Sequence, residues 1–562
     1  MNESTMIATA TIVEPQLEES TALTPNEGLS KHRIPVFNKA FSFNLRSFLP
    51  GGDDFSLRRF SVIEAAMLLI MGYLASKGLG VVRQTIFNAL FGTGMQANAY
   101  YAASRLPDTL FDLIAGGALT HAFIPVFLSY EKDRGQREAW RLASLVFNVL
   151  LVALTALVFV SEFVAPAFVS TLLVPGYPPA QQALTAALTR VMLIQPLILG
   201  LGTVVTAILN SKRQFFLPAL SLAIYNVGLI GGLLFSLAIP GIGIYGPTYG
   251  VLAAAALQVL VMVPALVKQG VRYTFIWDLR HPGLRQVLRL LIPNALAVAI
   301  ASTGFIVDTA FISYLPDQAS LAAQHNAHML YALPLALLGL AIGQAALPQL
   351  STLAASGRYV RLRMTVVKLI GGALSLSLIA SLMMYLLGKP AIRLLFQHGA
   401  FSKHSSALTG TALLGYAFAL PAVIAASLLV LSFYALKDAR TPLLINILGL
   451  ATRWSLIILL LRLLTGSHMI LAIPLAAGGV GIVETLVLGS LLFIRLRSKV
   501  KTDKGMLRLK RRRNQHAKTR AEQQGQEYGT SEQSIREPGK PEEAEESRIG
   551  LQEPEESEET SR

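Results

Sequence analysis

The chain has 562 residues, 53% of them hydrophobic and 14% charged, and its mean hydropathy is +0.53. A soluble domain carries roughly 25% charged residues, so this balance excludes an ordinary soluble protein and points to one that crosses a membrane many times. The absence of cysteine excludes disulfides and thiolate metal sites, and the net charge of +15 is spread unevenly, with a block of +11 over residues 495–520 followed by −9 over 521–562.

Residues 1–59 are polar, with no apolar core of signal-peptide type, and read as a disordered cytoplasmic segment. The first apolar run, 60–82, is then an uncleaved signal anchor. Further runs follow at 98–128, 142–167, 184–209, 218–239, 246–267, 287–313, 321–350, 365–387, 407–435, 442–464 and 469–494. Each is long enough to cross roughly 30 Å of hydrocarbon. Lys132, Arg134, Arg137 and Arg141 follow span two; Lys212 and Arg213 follow span four; Lys268, Arg272, Arg280 and Arg285 follow span six. Arg358, Arg361 and Arg363 follow span eight, and Lys437 and Arg440 follow span ten, whereas the loops after spans three, five and seven hold no Lys or Arg. The positive-inside rule places both termini of this multi-pass protein in the cytoplasm. Lys389, Arg393 and Lys403 fall on the predicted outer side, where an interfacial helix would accommodate them.

The two halves look duplicated. Asn210-Ser-Lys-Arg-Gln-Phe-Phe-Leu-Pro218 joins spans four and five, and Tyr434-Ala-Leu-Lys-Asp-Ala-Arg-Thr-Pro442 joins spans ten and eleven, an offset of 442 − 218 = 224. Leu106-Pro107 and Leu333-Pro334 give 334 − 107 = 227. An even number of spans per repeat preserves orientation, so the halves are expected to be parallel repeats. The expected fold class is an all-α polytopic membrane protein, with about twelve transmembrane helices in two pseudo-symmetric six-helix lobes around a central cavity. The lobes take 60–268 and 269–495. Residues 496–520 form a basic juxtamembrane segment suited to anionic lipids, and 521–562 an acidic disordered tail.

Ionisable groups at membrane depth are costly unless they meet a partner or a wet cavity. The stretch from Arg83 to Pro125 carries Arg83, Asn98, Arg105, Asp108, Asp112 and His121. Lys77 lies deep in span one beside small residues, and Arg83 either snorkels to the interface or faces the cavity. Arg105, Asp108 and Asp112 stand at i, i+3 and i+7, either as an internal Arg105–Asp108 pair or as a cavity wall. Pro107 and the Ala115-Gly116-Gly117-Ala118 run should break or bend this span. Span seven contributes Asp308; span eight contributes His325 and His328 on one face, with Asn326 between them. Arg190, Arg453 and Glu484 are further intramembrane charges, each open to pairing within its own lobe. The candidate substrate-binding residues are Lys77, Arg83, Asn98, Arg105, Asp108, Asp112, Asp308, His325 and His328. No phosphate-binding loop, catalytic triad or metalloprotease pattern is present, so a carrier is expected, with no catalytic residue, cofactor, metal or nucleic-acid partner.

Several collinear motifs resemble one family. Phe91-Gly-Thr-Gly-Met95, Arg105-Leu-Pro107 and Gly117-Ala-Leu-Thr-His-Ala-Phe-Ile-Pro125 are similar to the first two spans of the MurJ (MviN) lipid II flippases. Ala207-Ile-Leu-Asn210, Leu347-Pro-Gln-Leu-Ser351, Leu395-Phe-Gln-His-Gly-Ala-Phe401, Phe433-Tyr434 and Thr441-Pro442 resemble later signatures in the right order. The resemblance covers essentially 60–495 and implies membership of the multidrug/oligosaccharidyl-lipid/polysaccharide exporter superfamily. It implies a V-shaped cationic cavity between two lobes, through which an undecaprenyl-pyrophosphate-linked peptidoglycan precursor moves from the inner to the outer leaflet. Lys77 and Arg83 fall where the family has arginines. Asn98, Phe111 and Gly116 fall where it has an Asp, an Arg and a Glu, and His328-Met329 where it has an Asp-Arg pair. Typical members also carry two further spans. Lipid II is the expected substrate, with Lys77, Arg83 and Arg105 nearest the pyrophosphate. Another lipid-linked glycan, a drug, or a non-transporting scaffold role in envelope assembly stand as alternatives.

Overall fold

The computed structural model describes residues 62–115, 118–239 and 241–497. The polar N-terminal segment, nearly all of the basic juxtamembrane segment and the acidic tail lie outside the described residues, as does the side chain of His121. Among the described residues all regular structure is helical: α1 (Val62–Phe91), α2 (Met95–Ala115), α3 (Ala118–Arg134), α4 (Gln136–Phe168), α5 (Pro179–Met192) and α6 (Ile194–Ser211). They are followed by α7 (Phe216–Ala238), α8 (Tyr245–Leu260), α9 (Val263–Lys268), α10 (Pro282–Ser313), α11 (Ser320–Leu335) and α12 (Ile342–Ala355). The last are α13 (Tyr359–Phe396), α14 (Lys403–Ala435), α15 (Arg440–Leu463) and α16 (472–497). Nine helical stretches of the described residues are long and apolar enough to cross a membrane.

Each span predicted from hydropathy corresponds to a helix or to a broken one, and the breaks have local causes. Span two covers α2 and α3, and the helix of α2 runs on through Pro107; Gly116 and Gly117 lie outside the described residues. Span four divides at Leu193, just before Gln195-Pro196. In span eight, Pro334 removes a backbone donor near the end of α11, and a π-helical stretch (Ala336–Ala341) leads into α12. One expectation is corrected. Lys389 and Arg393 do not sit in a separate interfacial helix: α13 is one continuous helix of 38 residues, about 57 Å at 1.5 Å per residue, so its last turns overshoot a bilayer core.

Small residues set the closest packing. Gly228 of α7 meets Ala254 of α8 and Gly232 meets Gly246 and Gly250, and a Cβ on Gly232 would stand 2.5 Å from the Gly250 Cα. Lipid gives no hydrophobic drive for helices to associate, so contact of this intimacy supplies the van der Waals attraction that holds them. In the second lobe α14 is the most enclosed helix, buried through Gly410, Ala412, Gly415, Ala417 and Ala419 and packed against α11, α12 and α13.

The duplication is visible in the backbone. Among the described residues only Arg213 and Lys437 are non-glycine residues with positive φ, at 59° and 60°, and they lie 437 − 213 = 224 positions apart. Gln214 N–H donates to the Leu209 carbonyl and Asp438 N–H to the Phe433 carbonyl, at the same offset. Both spans therefore end in one left-handed C-terminal turn. In the second copy Asp438 accepts from Arg440 N–H, Thr441 N–H and the Thr441 hydroxyl, and pairs with Arg495. Burial raises the pKa of this carboxyl, but the Thr441 hydrogen bonds and Arg495 outweigh it and hold it below its ordinary value. A depressed folded-state pKa contributes stability above about pH 4 that is lost as pH falls through the folded value. Asp438→Ala is therefore expected to cost about 1 kcal/mol at pH 7, as loss of a helix cap does. In thermal melts the gap from the parent chain should close under acid conditions.

Candidate functional site

The last turns of α1 and the start of α2 form a polar seam with the second lobe. The Asn326 Oδ1 of α11 accepts from Gln84 Nε2 at 2.8 Å and Asn88 Nδ2 at 2.9 Å, and Gln84 also reaches the Tyr101 hydroxyl at 2.5 Å. Asn98 Nδ2 donates to the Gln318 carbonyl at 2.5 Å, and Asn98 Oδ1 accepts from Ala322 N–H at 2.7 Å. The Thr93 and Ser405 hydroxyls meet at 2.7 Å. All these side chains are buried, where an unmade hydrogen bond would cost about 1–3 kcal/mol. Backbone locks the seam further: Ala400 N–H donates to the Ala89 carbonyl at 2.8 Å. Gly92 and Gly399 both take φ +56°, and a Cβ on either would come within 2.4 Å of a backbone carbonyl oxygen across the seam. The Phe91–Met95 and Leu395–Phe401 motifs, far apart in sequence, thus exist to fit each other.

Below the seam lies a cavity of about 180 Å³, lined by Arg83, Gln84, Tyr100, Tyr101, Asp108, Gln195, Tyr225 and His325, among others. That is room for several waters. It accommodates a phosphate-sized group. Every lining residue but His325 comes from α1–α8. Arg83 faces this cavity, so it does not snorkel to the interface. His325 closes the cavity by stacking on Tyr101, with ring centroids 4.0 Å apart.

The charges of α2 divide. Asp108 faces the cavity, while the Arg105 guanidinium lies over the Phe305 ring of α10 at 5.7 Å. Among the described residues Arg105 makes no ion pair, and its Nε is buried without a partner. Of the two readings of this face, the Arg105–Asp108 ion pair is not formed among the described residues. Asp112 lines no part of this cavity and makes no ion pair among the described residues. Lys77 is exposed, with its ammonium 5.1 Å above the Tyr73 ring, and lies outside the cavity lining. Asn98 belongs to the seam and not to a cavity wall. Asp308 is buried in an ion pair with Arg453 of α15 at 2.5 Å, and its second oxygen is unpartnered. Arg190 likewise pairs with Glu162 at 2.9 Å, within the first lobe. His328 points away from His325, packing against Phe305, Tyr331 and Tyr416. The seam amides Gln84 and Asn88 escaped the sequence reading because uncharged residues near helix ends carry no hydropathy signal, and the Gln318 contact is made by its backbone carbonyl. Their i, i+4 spacing at Gln84 and Asn88 was the available clue.

Two helical lobes sealed together at one end, with unpaired and cavity-facing charges behind the seal, define a multi-pass membrane transporter. The family profile for the lipid II flippase MurJ matches residues 87–513, and the chain belongs to that family of bacterial inner-membrane proteins. A lipid II flippase MurJ from Burkholderia cenocepacia is 30% identical over 392 residues, 67% of this chain and 74% of that one. A probable lipid II flippase MurJ from Thermotoga maritima is 28% identical over 450 residues, 80% of this chain and 88% of that one. Among solved structures, a lipid II flippase MurJ in an inward closed conformation has a TM-score of 0.63 at 23% identity, covering 78% of this chain and 93% of that one. An inward-facing MATE family multidrug transporter of the MOP superfamily has a TM-score of 0.65 at 14% identity, covering 78% and 99%. At such identities these two speak for the fold.

Proposed function

We propose that this protein carries lipid II, the lipid-linked peptidoglycan precursor, across the cytoplasmic membrane by alternating access. Family membership supplies the substrate class. The observation that carries the reading within this chain is the pair of arginines at membrane depth, Arg83 in the cavity and Arg105 without a carboxylate partner. A pyrophosphate entering a low-dielectric cleft needs charge-assisted donors, and guanidinium forks provide them. The 180 Å³ cavity takes the phosphates while the glycan stays in the cleft between the lobes. His325, from the second lobe, is positioned to report occupancy across the interface.

In this reading the lobes are 60–268 and 269–495 and both termini are cytoplasmic. The seam then faces outward and the described state is closed to the outside. Rocking of the lobes must break the amide contacts of Asn98 and Asn326 before the headgroup can leave. Cells depleted of their own flippase are expected to grow when this chain is expressed, and failure of a well-expressed, membrane-inserted chain would sink the proposal.

A second reading, export of another lipid-linked glycan, draws on the thinned charge. Asn98, Phe111 and Gly116 are uncharged, and Arg453 is neutralised by Asp308. Rescue of a glycan-export mutant without rescue of flippase depletion would favour it.

A further inference from the structure

We propose that the connection between α9 and α10, residues 271–281, is a membrane-interface strap that binds anionic lipid headgroups. The segment is extended, yet it is ordered by polar contacts along α4. Ser144 Oγ accepts from Thr274 N–H at 3.2 Å, and Asn148 Nδ2 donates to the Ile276 carbonyl at 3.1 Å. The Tyr273 hydroxyl donates to Asn148 Oδ1 at 2.7 Å. Val271 and Ile276 turn inward onto the core cluster around Phe127, Trp140 and Leu145.

The other side of the strap is apolar and uncovered. Tyr273 is 57% exposed, Phe275 80%, Trp277 49% and Leu279 52%. Four large apolar side chains within seven residues would be costly in water, at roughly 25 cal/mol per Å² of surface left wet. Their depth resolves this. Ser144 and Asn148 stand two and six residues past Leu142, where the span of α4 is predicted to begin, so the strap rides about 3–9 Å into the apolar zone. That is the level at which amphipathic segments seat aromatic rings at the headgroup–acyl boundary.

Charge selects the lipid. Lys268, Arg272, Arg280 and Arg285 flank the aromatics and are all exposed, with Asp278 the one acid of the strap. Arg137 and Arg141 at the start of α4 are exposed and extend the basic rim, and among the described residues the ion pair of Arg141 is with Glu138, at 3.8 Å. Lipid phosphates complement this excess of cations, and the strap joins one lobe to the other, so bound headgroups would brace the element that rocking must carry.

Trp277 provides the test. The full chain carrying Trp140→Phe and Trp454→Phe retains Trp277 as its one tryptophan; should that variant not fold, the difference between the parent and Trp277→Phe isolates the same emission. In nanodiscs of phosphatidylcholine, brominated phosphatidylglycerol is expected to quench Trp277 at lower mole fraction than brominated phosphatidylcholine does. Arg272→Gln or Arg280→Gln should each weaken that preference about fivefold, the factor for one basic residue near an anionic surface. Equal quenching by the two brominated lipids would overturn the headgroup assignment. Quenching by aqueous iodide with none from either lipid would overturn the strap altogether.

Discussion

Arg83→Ala is expected to leave a folded, inserted protein that no longer supports growth of flippase-depleted cells, with transport reduced by a factor of about 10²–10⁴. Charge-assisted hydrogen bonds contribute about 1.5–3 kcal/mol each, a guanidinium fork makes two to a phosphate, and the low local dielectric removes the compensation water would give. The complication is Asp108, which shares the cavity and would be left there without Arg83. A second variant separates the possibilities. If Arg83 served only to neutralise Asp108, then Arg83→Ala with Asp108→Asn would regain activity. If it holds the substrate phosphate, the double variant stays inactive while Asp108→Asn alone retains transport. A double-mutant cycle on initial rates in proteoliposomes, with protein level and melting temperature measured alongside, reads the coupling directly. Arg83→Lys should fall between, since an ammonium keeps the charge and loses the fork.

Arg453→Met is expected to produce the largest loss of stability, about 3 kcal/mol or more, because it strands the buried Asp308 carboxylate. The pair has no surplus: Asp308 Oδ1 and Arg453 Nε lack partners, so no other donor stands ready to take over. Adding Asp308→Asn should recover most of the loss, since removing both charges also removes the desolvation cost. Thermal melts in detergent across the two single variants and the double one give the interaction energy. Additive losses would show that the 2.5 Å contact carries no net coupling. Transport by the stable double variant would mark the pair as scaffold; a stable but inactive one would place it among the moving parts, where α10 and α15 meet below the seam.

The helices and their breaks were legible because the bilayer imposes length and apolarity on each span. Pro334 and Gln195-Pro196 mark interruptions that follow from backbone chemistry alone. The repeat was legible through Pro218 and Pro442, and the left-handed turns at Arg213 and Lys437 carry the same offset. Site assignments fared unevenly, and the reason is geometric. Spacing on one helix tells which side chains are neighbours, but not which neighbour the other lobe meets. Arg105 and Asp108, three residues apart, diverge toward α10 and the first-lobe cavity. His325 and His328, also three apart, diverge toward Tyr101 and toward Tyr416. Asn98 reads as a thinned cavity charge from its place in the motif, whereas its amide bridges Gln318 and Ala322.

By itself the sequence determined that this protein is a duplicated, all-helical membrane transporter of the MurJ family, because hydropathy, loop charge and motif order are properties of the linear chain. Only the tertiary structure decided that the Phe91–Met95 and Leu395–Phe401 glycines interlock, that Arg105 stands unpaired while Arg453 does not, and that the linker aromatics lie uncovered along α4. Those outcomes depend on which faces of distant helices come into contact. Burial enforces such contacts through close packing and hydrogen-bond satisfaction, and no local periodicity encodes them.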